Sequence, residues 1–148
     1  MRFVIQCVRH SSVVADGVPT GKIGRGLMVL CGIAQTDTKE IADKMVKKLC
    51  NLRIFKDENG KTNLSVMDIG GEMLMISQFT LYADCRSGNR PGFSNAGKPE
   101  IAKPMYEYIM DKARAYVPVV EHGVFGAHMD VELLNDGPFT IILDSDTL

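Results

Sequence analysis

Few side chains in this 148-residue sequence are of a type and spacing that could do chemistry. The hydroxyls of Ser77 and Thr80 flank the end of an apolar run, M-L-M-I-S-Q-F-T-L-Y, a place where α/β proteins often put working groups. Either could attack a carbonyl, but an unactivated hydroxyl is a poor nucleophile at neutral pH, and no G-x-S-x-G elbow or nearby base accompanies them. The plainer alternative is that both hydroxyls satisfy backbone groups at a strand end. His10, His122 and His128 are the only histidines, and none has a second ligand at the spacing that makes a zinc site from one helix. Neither a metal nor any other cofactor is expected.

Two further groupings carry chemistry of a different kind. Arg86 and Arg90, four apart in a glycine-rich stretch, could fork a phosphate or simply sit on a solvated loop. Asn135-Asp136-Gly137-Pro138 reads first as a hairpin turn. It also admits a sharper reading, because an X-Pro bond can be cis at modest cost and a preceding glycine lets backbone approach a ligand with no Cβ in the way. Such a segment could act as a rigid steric gauge.

These groups need elements to hold them. Val and Ile enrichment at 2–8 and 13–15, with Asp16-Gly17 as a tight turn, predicts an opening β-hairpin. L-M-V-L-C-G-I after Gly24 and Gly26 predicts a buried central strand, and the run at 73–82 a second one. Asp37 with Glu40 makes a capping pair before Ile41, Ala42, Met45, Val46, Leu49 and Leu52 at helical spacing. A short strand at 52–55 should precede the turn Asp57-Glu58-Asn59-Gly60. A second helix is expected over 99–116, with Ile101, Met105, Tyr108, Ile109 and Lys112 along it and Pro104 near its start. The stretch 85–98 is too long and polar for a simple connector, and the remainder alternates short strands with turns. The expected fold is α/β: mixed, largely antiparallel sheets in two layers with two helices packed on one face, in a single domain over 1–148.

Composition sets the outer limits. A net charge of −1 and a pI near 6.3 argue against a protein that neutralises many phosphates, so a nucleic acid would be gripped at one point. Cys7, Cys31, Cys50 and Cys85 form no C-x-x-C pair, which suits reduced thiols in the cytoplasm. No leader peptide or apolar run of membrane-spanning length is evident, so no membrane partner is expected.

The ordered pair S-Q-F-T-L-Y-A-D at 77–84 and N-D-G-P-F-T at 135–140 resembles the signature of the D-aminoacyl-tRNA deacylases, the D-tyrosyl-tRNA deacylase family. Similar text runs along nearly the whole chain: V-I-Q at 4–6, G-x-I-G-x-G-L at 21–27, N-L-R-I-F at 51–55, R-P-G-F at 90–93 and F-G-A-H-M at 125–129. The resemblance implies hydrolysis of the ester between a tRNA 3′ end and a D-amino acid by a homodimer with active sites at the interface. Ser77, Gln78, Phe79 and Thr80 would form the catalytic site of one subunit. Gly137 and Pro138, joined by a cis bond, would reach in from the other, with Phe125 and Met129 near the terminal adenosine and aminoacyl group. One position departs from the family: Q-C-V stands here where members commonly have Q-R-V, with an arginine that helps hold the Gly-Pro loop. Cys7 cannot do that, and Arg9 is the nearest candidate. Two other functions stay open on the residues alone, a non-catalytic module binding aminoacyl-tRNA or an adenine nucleotide, and a small-ester hydrolase using Thr80.

Overall fold

The computed structural model describes residues 1–148. In chain order the elements are β1 (Arg2–Ala15), β2 (Val18–Ile23), β3 (Gly26–Gly32), α1 (Lys39–Asn51), β4 (Phe55–Lys56), β5 (Thr62–Leu64), β6 (Glu72–Ser77), α2 (Pro99–Arg114), β7 (Val120–His122) and β8 (Met129–Asp144). Short 3₁₀ turns follow β6 and β8, at Phe79–Tyr82 and Ser145–Thr147. The main sheet has six strands and runs β2-β1-β3-β6-β7, with β8 also on β1, while β4 and β5 form a small separate hairpin. Pairs through β1 are antiparallel, and β3-β6 and β6-β7 are parallel. The sheet is therefore mixed and largely antiparallel, as its short turns and apolar runs predict.

The opening hairpin is present, but its first arm is one unbroken strand. Asp16 and Gly17 both take positive φ, 47° and 81°, the conformation that two-residue hairpin turns demand. One side of β1 pairs with β3 along its first half and with β2 along its second, and the other side belongs to β8. Because β2 comes round to lie against β6 and β7, the sheet curls into a near-barrel. Val8, Val13, Ile23, Met28, Leu74 and Ile76 fill its interior. The opposite face carries Phe3, Ile5, Leu27, Val29, Met73 and Met75, and both helices pack there.

Helix α1 buries Ala42, Met45, Val46 and Leu49, the i, i+3, i+4, i+7 stripe predicted for it, and Cys50 beside them. Each large apolar side chain so buried stabilises by about 1.5–3 kcal/mol relative to exposure. Its cap differs from expectation. Thr38 is the N-cap and its Oγ1 accepts from the Ile41 N–H at 3.3 Å, whereas Asp37 accepts from the Ala34 N–H and the Met1 ammonium, both at 2.7 Å. A long-range partner outbids the local one for that carboxylate.

Helix α2 begins at Pro99 as predicted and ends at Arg114. Its buried face is Ala102, Tyr106, Ile109, Met110 and Ala113, rotated from the predicted stripe, and Ile101 is left exposed. Small alanines let the helix sit close to the sheet, where the Tyr106 hydroxyl donates to the Met75 carbonyl at 2.7 Å. Pro104 lies within the helix and leaves the Glu100 carbonyl without its helical partner, on a residue that faces solvent. The strand expected at 52–55 begins only at Phe55, since Leu52 closes α1 by donating its N–H to the Leu49 carbonyl at 3.4 Å. No helix is long and apolar enough to cross a membrane.

The four cysteines are free thiols; Cys7, Cys31 and Cys50 are buried and Cys85 is exposed. Burial pushes the Cys7 thiol up to about 11 and Cys50 up to about 12, and raises Cys31 as well. Titration with a chromogenic disulfide at pH 8 should therefore find one fast thiol per native chain and four after denaturation. A second fast thiol in the native protein would contradict the close packing of this core.

Candidate functional site

The site is built where β3 and β6 end side by side. Ser77, the last residue of β6, stands opposite Cys31, and the next N–H, on Gln78, donates to the Cys31 carbonyl at 2.8 Å. Beyond it the chain tightens into the 3₁₀ turn Phe79–Tyr82, where an extended strand was expected. The turn lies directly on β3: a Cβ at Gly32 would stand 2.9 Å from Leu81 Cβ and 3.2 Å from the Gln78 carbonyl oxygen. Only glycine permits that approach.

The turn leaves donors unused. The backbone N–H groups of Phe79 and Thr80, first in the turn, have no acceptor within the chain. Gln78 Nε2 donates to Thr80 Oγ1, so the hydroxyl is held by an amide and has no base beside it. Thr80 itself is exposed.

A cavity of about 590 Å³ opens at this end of the two parallel strands. Ser77 lines it from the end of β6, Gln78 and Phe79 from the turn that follows, Phe125 from the loop before β8 and Met129 from the start of that strand. Its walls are mainly apolar, with Ile33, Ile76, Ala96 and Ala102 among them. The structure thus gathers five of the expected site residues, together with His128, while Thr80, Gly137 and Pro138 do not line this cavity. Phe93 and Lys98 do line it and were not singled out. A phenylalanine in a Gly- and Pro-rich polar loop was the available signal for the first of them.

A second cavity, about 620 Å³, lies around Met1, Arg2, Asp37, Tyr82, Asp84 and Arg86. Charged groups there largely satisfy one another: the Met1 ammonium meets Asp37 at 2.7 Å, Arg2 meets Asp144 at 2.7 Å, and Arg86 meets Asp84 at 2.6 Å. Of the two readings of Arg86, the solvated loop is the one seen: the side chain is exposed, and its Nε and Nη2 grip both oxygens of Asp84 and hold that carboxyl down at about 2. The histidines are occupied locally or exposed: His122 Nδ1 lies 2.6 Å from the Gly123 carbonyl, His128 Nε2 lies 3.3 Å from Asp130, and His10 faces solvent.

Gly137 and Pro138 belong to β8, and the peptide bond between them is cis. The segment is not a hairpin turn, since the chain on both sides of it pairs with the same strand, Asn135 with Val8 and Thr140 with Gln6. Between those pairs, Asp136, Gly137, Pro138 and Phe139 bulge out opposite Cys7. The bulge is braced at its base. The Phe139 N–H donates to Asn135 Oδ1 at 3.0 Å, and Asn135 Nδ2 and Gln6 Nε2 donate to Thr140 Oγ1 at 3.1 and 3.3 Å. Arg9 Nε lies 3.5 Å from Asp136 Oδ1 on the surface. Cys7 points the other way, into the core, with Sγ 3.7 Å from the Ile54 carbonyl. From Met129, which lines the cavity, to the bulge is roughly 20–25 Å of strand at ~3.3 Å per residue.

A near-barrel whose parallel strands open at their carboxyl ends onto an apolar cavity, beside a turn with unpaired amide donors, has the form of a small-ligand site on an α/β scaffold. The family profile described as D-Tyr-tRNA(Tyr) deacylase matches residues 4–144, and the chain belongs to that family. A D-aminoacyl-tRNA deacylase of Clostridioides difficile (strain 630) is 55% identical over 145 residues, spanning 98% of this chain and 97% of its own. One from Thermosipho africanus (strain TCF52B) is 52% identical with the same coverage. Among solved structures, the c-Myc DNA Unwinding Element Binding Protein superposes with a TM-score of 0.92 at 43% identity, covering 97% of this chain and 98% of its own. A probable eukaryotic D-amino acid tRNA deacylase superposes at 0.85 with 17% identity, over 96% and 97% of the two chains, which shows the shared fold.

Gly137 holds φ at 146°, and a Cβ there would meet the Phe139 nitrogen at 2.8 Å. Gly137→Ala is accordingly expected to lower stability by about 1–3 kcal/mol in chemical denaturation. A neutral result would show that the bulge can adapt and is no rigid edge.

Proposed function

We propose that this protein hydrolyses the ester bond of D-aminoacyl-tRNA, releasing the free D-amino acid and tRNA, and that it does so as a homodimer in which Gly137 and Pro138 of each subunit enter the cavity of the other. The observation that carries the reading is the meeting of Ser77, Gln78, Phe79, Phe125 and Met129 around one cavity, with a free N–H on Phe79, which lines it, and another on Thr80, the next residue in the chain. Family membership and relatives named D-aminoacyl-tRNA deacylase support the reaction. Support for the cross-subunit arrangement is the separation along β8: the Gly-Pro bulge is exposed and projects far from its own cavity, so a second copy is the natural way to bring the two together. Such an enzyme works in the cytoplasm, where its substrate is made and used.

In this mechanism water adds to the ester carbonyl, the carbonyl oxygen takes negative charge, and the bond to the ribose oxygen breaks as that oxygen gains a proton. The N–H groups of Phe79 and Thr80 suit the developing oxyanion, since they are preorganised and spend no hydrogen bond elsewhere. An aminoacyl ester beside a ribose hydroxyl is already activated, so positioning does most of the remaining work. The hydroxyl of Thr80, held by Gln78 and lacking a base, is not the nucleophile here; the terminal 2′-hydroxyl of the tRNA assists instead.

Chirality is read by exclusion. A backbone edge that holds the α-amino group and fills the space of an L side chain rejects every L residue, while any D side chain points outward. Glycine has nothing to exclude, so glycyl-tRNA should be cleaved as well.

Incubating the protein with D-tyrosyl-tRNA, L-tyrosyl-tRNA, glycyl-tRNA and a simple D-amino acid ester separates the possibilities. Cleavage of the D form should exceed that of the L form by at least ~100-fold, about 2.7 kcal/mol of barrier, with glycyl-tRNA cleaved and the simple ester spared. Uncleaved glycyl-tRNA would sink the steric account, and a hydrolysed simple ester would point to a general esterase. Protein that binds these tRNAs and cleaves none would be a binding module.

Thr80→Ala should keep most activity, within about threefold, while a terminal 2′-deoxyadenosine should lose ~100-fold or more. The reverse pattern would restore Thr80 as the nucleophile.

A further inference from the structure

We propose that the mouth of the cavity holds a second nucleotide subsite, in which Phe93, backed by Phe79, stacks the base that precedes the terminal adenosine and Lys98 meets its phosphate. This rests on the deacylase reading and extends it from the terminal nucleoside to the unpaired C-C-A end that every tRNA carries.

Three observations place the subsite. Phe79 and Phe93 are the two phenylalanines among the large apolar side chains left exposed, at 56% and 38%, and they touch each other, ring centroids 5.0 Å apart at 70°. An exposed aromatic pair from two separate segments is not needed by the core. A flat, accessible ring face is what single-stranded bases stack upon.

Lys98 is the only lysine or arginine lining the cavity, and it makes no ion pair. Most lysines and arginines of this chain likewise make no ion pair, so what sets Lys98 apart is its place in the cavity lining together with the ring shelf. A chain with net charge −1 cannot neutralise a run of phosphates, but one contact at the mouth fits that charge.

The segment carrying both residues is also held rigidly. Asp84 and Gly92 exchange backbone hydrogen bonds at 2.8 and 2.9 Å, the Ala96 N–H donates to the Phe93 carbonyl at 3.1 Å, and the Gly97 N–H donates to Ile33 at 2.8 Å. A Cβ at position 97 would press on the Ile33 and Ala34 carbonyls at 3.1 and 3.3 Å. Phe93 and Lys98 are thereby fixed to the end of β3, on the same rim as Ser77 and Gln78. A preformed shelf of this kind adds affinity without an ordering cost.

The test compares D-tyrosyl-adenosine with the D-tyrosyl ester of the RNA trinucleotide C-C-A. Wild-type protein should show a KM at least ~10-fold lower for the trinucleotide, with kcat little changed. Phe93→Leu and Lys98→Ala should each shrink that advantage to threefold or less, and Phe93→Tyr and Lys98→Arg should restore it. Lys98→Ala should also flatten the salt dependence of log KM for the trinucleotide by about 0.7, the value for one phosphate on a single strand. A wild-type advantage below threefold, or variants that keep it in full, would overturn the subsite. If wild-type protein cleaves neither ester, the deacylase reading fails, and the subsite is then judged by direct binding of unesterified C-C-A against adenosine, where the same tenfold advantage and its loss in Phe93→Leu must appear.

Discussion

The pairing of β1 with β8 is the constraint from which the remaining architecture follows. β8 occupies one whole side of β1, so β2 and β3 must share the other, and the sheet has to bend where they meet. That bend brings β2 round to β6 and β7 and closes a small interior around Leu74 and Ile76. The same ladder sets the distance between two features that a single chain keeps apart. β8 forms the cavity wall at its first residue, Met129, and carries the Gly137-Pro138 bulge near its middle. Register on both flanks of the bulge is pinned by pairing with β1, so its backbone projects at a defined place instead of wandering as a loop would.

Around the cavity, the protein relies on backbone more than on reactive side chains. The parallel pair β3-β6 ends in a turn that leaves amide donors unspent, and the cavity walls are mainly apolar. Past the turn that follows β6, the charged side chains of Asp84 and Arg86 are consumed by each other. Cys7 shows the same economy from the opposite direction. Facing the core, it packs among apolar groups and leaves the bracing of the bulge to Asn135, Thr140, Gln6 and the surface pair of Arg9 with Asp136. An exposed pair of that kind is worth ~0–1 kcal/mol, less than the ~1–3 kcal/mol attached to the positive φ of Gly137.

Much of the fold was legible because it is local. Asp16-Gly17 demands a two-residue turn, L-M-V-L-C-G-I can only be buried, and the stripe Ala42, Met45, Val46, Leu49 can only be a helix face. Where the reading missed, a distant group had intervened. Asp37 left its expected capping role for the Met1 ammonium, the run after Ser77 curled into a 3₁₀ turn against Gly32, and α2 rotated to seat Ala102 and Tyr106 on the sheet. None of those partners is within a helical turn of the residue it redirects.

For the site the division is sharper. The residue strings at 77–84 and 135–140 by themselves determined the family, because side-chain identity in fixed order is what a sequence records. Tertiary structure alone decided that Ser77, Gln78, Phe79, Phe125 and Met129 share one cavity, that Phe93 and Lys98 join them, and that Gly137-Pro138 stands on a bulge away from it. Proximity between segments dozens of residues apart is set by sheet order and curl, which arise from summed burial over the whole chain, and no short stretch of sequence carries that sum.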